Sequence, residues 1–243
     1  MTQQAMDMTT AAMTSEPIRL AGQGSFFGRR KGKGLRARQT DLIETLLPRL
    51  RIDLDRPADP GALFAGPVDG LVLEIGFGGG EHLVREALAF PRLGFVGVEP
   101  FVNGMAKMLA EIERKAIGNV RLHTGDGADV LAWLPAASLD LVYLLYPDPW
   151  PKTRHHKRRF VSDRTVKAIA RVLKPGGEFR FGTDIDHYAA WTLERLLRSP
   201  DFVFAAETAR DWTTPWAGWE STRYEAKALR EGRRPCYLTF RRL

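Results

Sequence analysis

From residue 71 to residue 182, short apolar runs alternate with stretches of helical period. The runs are Leu71–Ile75, Gly94–Glu99, Val120–Thr124, Leu139–Tyr146 and Glu178–Gly182. Between them Glu81–Phe90, Phe101–Ile117 (stopped by Gly118) and Ser162–Leu173 read as helices, with a short one near Ala128–Trp133. A strand that is apolar on both sides must be covered on both faces, and a helix between consecutive strands permits the crossover that a parallel sheet requires. A helix at Asp186–Leu197 and strands at Phe202–Ala206 and Pro235–Phe240 complete the pattern. The expected fold is α/β: a doubly wound, mostly parallel, seven-stranded Rossmann-like sheet with helices on both faces. Its ligands belong at the carboxyl ends of the strands, near the switch point. Residues 39–243 form this domain, entered through a helix over 39–50 and a Pro/Gly/Asp-rich connector from Asp55 to Gly70. Residues 1–38 read as a flexible tail ending in a basic arm, free until it meets a partner.

Charge narrows the partner. The 243 residues carry 36 Lys and Arg against 29 Asp and Glu, a net +7. Arg29–Arg38 (RRKGKGLRAR), Lys152–Arg159 (KTRHHKRR) and Lys227–Arg242 together carry +16, so the rest of the chain is acidic at −9. Cations concentrated on an acidic body read as the footprint of a polyanion, and nucleic acid suits them better than a membrane because no run forms an amphipathic helix. The longest apolar run, Leu141–Tyr146, is far short of the ~18–20 residues of a membrane span. Met1–Pro17 shows no secretory pattern, and Cys236, as the sole cysteine, excludes an intrachain disulfide and a cysteine-cluster metal site. A soluble, cytoplasmic protein without a metal is expected; monomer and homodimer both stay open.

The first strand closes on Glu74-Ile75-Gly76-Phe77-Gly78-Gly79-Gly80, a glycine loop leading into a helix. The third glycine of a dinucleotide loop would fall at position 81, which is Glu81. A carboxylate at that helix start repels a pyrophosphate, so the cofactor has no phosphates. Glu99, at the end of the second strand, can accept both ribose hydroxyls. Asp126, at the end of the third, can accept an adenine amino group, and Glu74 can hold a cationic amine. An adenosine, an amino acid and a sulfonium without phosphate describe S-adenosylmethionine, cradled by Gly76 and Gly78.

After the fourth strand comes Tyr146-Pro147-Asp148-Pro149-Trp150-Pro151-Lys152, followed by the basic run Arg154–Arg159. The block YPDPWPKTRHHKRR, with EIGFGGG upstream and TRYE (Thr222–Glu225) downstream, closely resembles the bacterial tRNA (guanine-N7)-methyltransferase family from about Ser25 to the C-terminus. The resemblance implies methyl transfer from S-adenosylmethionine to N7 of guanosine 46 in the variable loop of tRNA. By the same resemblance, cofactor contacts fall on Glu74, Glu99, Asp126 and Asp148, the last also catalytic. Substrate contacts fall on Lys152, Asp184, Thr222, Arg223, Tyr224 and Glu225, and RNA contacts on Arg154, His155, His156, Lys157, Arg158 and Arg159.

Residue chemistry supports this independently. Guanine N7 has an in-plane lone pair and no proton, so its attack needs no base; the enzyme must align it and supply negative charge as the purine becomes cationic. Asp148 suits that role, with Pro147, Pro149 and Pro151 stiffening its loop. Trp150 can stack on an extruded base or pack; Trp212, Trp216 and Trp219, clustered before Thr222, could line the same mouth but read rather as packing. A Rossmann-type methyltransferase acting on a small molecule or protein explains the loop but not the basic runs. A non-catalytic RNA-binding module explains the runs but not the acids.

Overall fold

A computed structural model describes Gly28 and residues 30–243. Seven strands make one sheet: β1 (Gly70–Ile75), β2 (Leu93–Val98), β3 (Val120–His123), β4 (Leu139–Leu145), β5 (Leu173–Thr183), β6 (Phe202–Phe204) and β7 (Cys236–Arg242). Their order is β3-β2-β1-β4-β5-β7-β6; β1 to β5 pair in parallel and β7 runs antiparallel between β5 and β6. The order reverses between β1 and β4, so the switch point lies beside β1. The expected doubly wound sheet is the one observed.

The helices are α1 (Ala37–Thr45), α2 (Leu47–Leu50), α3 (Glu81–Ala89), α4 (Val102–Lys115), α5 (Gly127–Trp133), α6 (Asp163–Val172), α7 (Asp186–Arg198), α8 (Arg210–Thr213) and α9 (Arg223–Arg230). Strand alternation divides the core into two layers. Leu71, Leu73 and Ile75 of β1 pack toward α5, α6 and α7, while Val72 packs toward α1, α3 and α4. In α4, Met105, Met108, Leu109 and Ile112 recur at i, i+3, i+4 and i+7 and are all buried. Each such side chain contributes roughly 1.5–3 kcal/mol when taken from water.

Local departures from the sequence pattern have local causes. The helix expected over 39–50 divides at Leu46, because Pro48 in the first turn of α2 has no N–H to continue the ladder. Helix α4 ends at Ala116, in left-handed conformation, rather than at Gly118. Strand β5 starts at Leu173, and Lys174-Pro175-Gly176-Gly177 becomes a bulge within it, where the register with β4 shifts. The loop expected over 153–158 is a 3-10 turn, and α8 and α9 had no counterpart in the apolar pattern.

The N-terminal segment requires a correction. The expected boundary at residue 38 falls inside α1, and Arg30, Gly32 and Lys33 are bonded to the start of α4 rather than free. The first amides of a helix need outside acceptors, and Phe101, which caps α4, offers no side-chain oxygen. The arm supplies one: Val102 N donates to Arg30 O at 3.0 Å. Asn103 Oδ1 accepts from Gly32 N at 2.7 Å, and its Nδ2 donates to Lys33 O at 2.7 Å. Arg38 then pairs with Asp41 and with Glu113 of α4. Residues 1–27 and Arg29, the rest of the expected tail, lie outside the described residues.

Helix α4 approaches the glycine loop closely: a methyl group on Gly104 would lie 2.1 Å from the Gly78 carbonyl oxygen. Gly104→Ala should therefore destabilise the fold by about 1–3 kcal/mol, as overpacking does. Equilibrium urea unfolding measures it, and an unchanged midpoint would contradict the contact.

Candidate active site

The carboxyl ends of β1, β2, β3 and β4 surround a cavity of about 500 Å³, within the range of roughly 300–1,000 Å³ usual for small-molecule sites. Its floor is the glycine loop. Gly76, Gly78 and Gly80 have φ of 75°, 60° and 83°, a region that side chains strain to adopt. Nothing lies within 4 Å of where a Gly76 side chain would begin, so the loop backbone is open to a ligand. Glu81 is the first residue of α3 and lies 3.5 Å from the Arg223 guanidinium. The helix start is thus held by a carboxylate and leaves no place for a phosphate.

Two acids are set by backbone amides. Glu99, nearly buried, accepts from Gly78 N at 2.6 Å through Oε2 and from Phe101 N at 2.8 Å through Oε1. Burial raises its pKa; the two amide bonds and then Arg223 oppose that rise, and Asp148 adds to it. Asp126 caps α5, accepting from Ala128 N at 2.9 Å, and burial raises its pKa, opposed first by that bond. A third acid, Asp148, faces the cavity from the far side with its pKa raised by burial, and no hydrogen bond or ion pair among the described residues engages it.

The loop carrying Asp148 is strained and braced. Tyr146 and Trp150, each before a proline, have φ of 49° and 43°. Non-glycine residues in the left-handed region persist only where their surroundings enforce them. Tyr146 N donates to Gly182 O at 2.7 Å. Arg159 Nε donates to Pro149 O at 2.9 Å and its Nη2 to His187 Nδ1 at 2.8 Å, with the guanidinium over the rings of Tyr188 and Trp191. Arginine can only donate, so His187 Nδ1 is the acceptor in this bond. Trp150 lines the cavity with Arg158 stacked on its ring and His155 meeting it edge-on.

The structure separates the candidate residues into two groups. Gly76, Gly78, Glu99, Asp126, Asp148, Lys157, Arg158 and Tyr224 line the cavity, and Lys152, Arg154, His155 and His156 continue the rim. Others are engaged elsewhere. The Glu74 carboxylate does not line the cavity: it is buried against His82 Nδ1 at 2.7 Å, because β1 turns it toward α3. Arg159 lines the inner wall but is only 4% exposed and spent on the loop, so the phosphate contact expected of it gives way to a bracing role. Asp184 is paired with Arg233 and lies outside the cavity. Thr222 caps α9 through Glu225 N, and the buried Glu225 accepts from Trp219 Nε1 and Tyr237 Oη, both at 2.6 Å. In TRYE the outer residues therefore hold the helix, while Arg223 and Tyr224 face the glycine loop. Trp216 and Trp219 pack on Tyr237, as expected of packing residues.

The third basic run is also corrected. Lys227 pairs with Glu231, Arg233 with Asp184 and Glu231, Arg241 with Glu178 and Arg242 with Asp201. These four cations are paired within the fold and offer little to a polyanion, whereas Arg230 and Arg234 of the same run are exposed with no carboxylate partner among the described residues. Sequence reasoning missed Phe101 and Arg164 in the cavity wall; an aromatic at a helix start and a lone arginine carry no signal on their own.

Residues 69–238 match the family described as "Putative methyltransferase". The tRNA (guanine-N(7)-)-methyltransferase of Nitrobacter hamburgensis is 60% identical over 96% of this chain and 92% of its own length, and that of Rhizobium meliloti is 60% identical over 90% and 95%. The chain belongs to the tRNA (guanine-N7)-methyltransferase family. Two solved structures share the fold. One is TrmN from Thermus thermophilus (TM-score 0.52, 13% identity, 73% of this chain and 45% of that one). The other is a mutant of the 16S rRNA (adenine(1408)-N(1))-methyltransferase from Catenulisporales acidiphilia (TM-score 0.50, 17% identity, 79% and 92%). The cofactor of the family is S-adenosylmethionine. The cavity fits it: an open glycine backbone, carboxylates for hydroxyl and amine donors, and no phosphate site.

If Arg159 braces the loop, Arg159→Lys loses the paired donation and speeds exchange of the hydrogen-bonded amides of this segment, Tyr146, His155 and residue 159, by roughly tenfold. Unchanged protection there by hydrogen-exchange mass spectrometry would return Arg159 to a surface role.

Proposed function

We propose that this chain transfers the methyl group of S-adenosylmethionine to N7 of guanosine 46 in the variable loop of tRNA, forming N7-methylguanosine. The observation that carries this reading is the Asp148 carboxylate, facing the cavity without a hydrogen-bond or ion-pair partner among the described residues and within electrostatic reach of Glu99. When bound, the cofactor supplies a methyl activated by a sulfonium. Glu99 accepts from the ribose hydroxyls with the lone pairs that its two amide bonds leave free. Asp126 accepts from the adenine amino group. Tyr224, beside Gly78, covers the loop, and Arg223 neutralises Glu81.

Asp148 accepts hydrogen bonds from guanine N1–H and the exocyclic amine, which turns N7 toward the methyl. It removes no proton, because N7 carries none. Its negative charge stabilises the positive charge that grows on the purine, in a cavity where charges are weakly screened. A base inside folded RNA must be extruded to reach this depth, and Trp150, stiffened by Arg158, offers a face on which to stack it. Lys152, Arg154 and Lys157 then meet phosphates at the rim, positioning the RNA without reading its sequence. A tRNA substrate implies a cytoplasmic location, and no described helix is long and apolar enough to cross a membrane.

The test is transfer of labelled methyl to tRNA lacking N7-methylguanosine. The wild-type protein should label tRNA with a guanosine at nucleotide 46 and leave unlabelled a transcript carrying adenosine there. Asp148→Asn should lower kcat by about 10²–10³ with little change in tRNA affinity, as loss of one transition-state charge does. Label on the adenosine-substituted transcript, or near-normal turnover by Asp148→Asn, would refute the site or the residue respectively.

A further inference from the structure

The docked N-terminal arm is not used by any step above, although it borders the site. Gly28 lines the cavity, and Arg30 lies near enough to Asp126 to lower its pKa, the least of the influences on that carboxyl. From there the arm runs along the start of α4, held by Val102 N and by both ends of the Asn103 amide. Asn103 accepts from Gly32 and donates to Lys33, so a single side chain fixes the peptide between them. Arg30, Lys31 and Lys33 are exposed, and none of them is paired with a carboxylate among the described residues.

This contrasts with the cations of α4, α7 and the C-terminal run, most of which have carboxylate partners. Cations left unpaired in a protein carrying many acids are available to an outside anion. Two such groups border the cavity. One is the rim after β4, with Lys152, Arg154 and Lys157; the other is the arm at the end of β2. Strands β2 and β4 flank β1 on opposite sides, so the two basic groups stand on opposite sides of the glycine loop.

We infer that the arm is a second, pre-set phosphate clamp for tRNA, held in place by Asn103, so that the RNA backbone is gripped on both sides of the extruded guanosine. The inference rests on the tRNA reading above. Fixing the arm before binding spares the ordering entropy that a free tail would lose, which makes Asn103 a positioning residue for RNA affinity.

Fluorescence anisotropy of labelled tRNA, titrated with full-length protein at several salt concentrations, tests it. Lys31→Ala/Lys33→Ala removes surface lysines without touching the core. It should weaken tRNA binding about tenfold and reduce the slope of log affinity against log salt by about 0.7–0.9 for each lost phosphate contact. Asn103→Ala should weaken binding several-fold with a smaller change of slope, because the lysines remain but are no longer held. Affinity for S-adenosylhomocysteine, measured by calorimetry, should stay within about twofold of wild type for all variants.

An unchanged salt slope in Lys31→Ala/Lys33→Ala overturns the clamp. Wild-type tRNA affinity in Asn103→Ala overturns the pre-set arm, and a fall in S-adenosylhomocysteine affinity shows that Asn103 acts on the cofactor site instead. Methyl transfer by the wild-type protein is read in the same samples. Normal transfer with unaltered variant binding removes the clamp alone, whereas a wild-type protein that neither binds nor methylates tRNA removes the clamp and the proposed function together.

Discussion

Two hydrogen bonds to one carboxylate organise this molecule. Glu99 accepts from Gly78 in the glycine loop and from Phe101 at the start of α4, and so ties together the two segments that β1 and β2 project past the sheet. An unpaired carboxylate that is nearly buried would be costly, and the two amides offset that cost. Gly104 lets α4 come within contact of Gly78, so packing and polar bonding enforce the same position. The N-terminal arm is laid along the same helix start. Cofactor floor, helix and arm therefore depend on one junction.

The opposite wall is built by different physics. Asp148 is held by backbone strain and by a buried arginine rather than by bonds to its own carboxylate. That division suits a positioning role: the loop is fixed and the carboxylate remains available. Arg159 illustrates how a charge run misleads. Five cations stand in Lys152–Arg159, yet the last turns inward to brace Pro149 and Arg158 lies over Trp150 in the cavity wall, while Lys152, Arg154 and Lys157 are exposed. Linear charge density says nothing about which cations have internal partners, and the C-terminal run makes the same point with its four ion-paired residues.

The sheet was legible because apolar runs and helical periods are local properties; the order of its strands and the antiparallel place of β7 rest on long-range pairing that no local pattern shows. That Glu99, Asp126 and Asp148 line one cavity was legible because the strand ends of such a sheet converge there. Glu74 was not, since one residue of register decides whether a strand carboxylate points to the cavity or to α3. Thr222 and Glu225 were read as substrate contacts, although a Thr followed three residues later by Glu is also a helix-start pattern. Here that pattern holds α9 while Glu225 bonds Trp219 and Tyr237. Asn103 and the docked arm were illegible, because their partners are some 70 residues apart in sequence.

The organising role of Glu99 is measured most directly by calorimetric titration of S-adenosylhomocysteine into the wild-type protein and Glu99→Gln. Glutamine keeps the shape of the side chain but turns an N–H toward one of the two backbone donors. One buried amide is then left without an acceptor, at a cost of about 1–3 kcal/mol. Affinity should be at least roughly tenfold weaker in Glu99→Gln with the protein still folded. Equal affinity would show that Glu99 holds neither the loop nor the ligand, and would contradict that role.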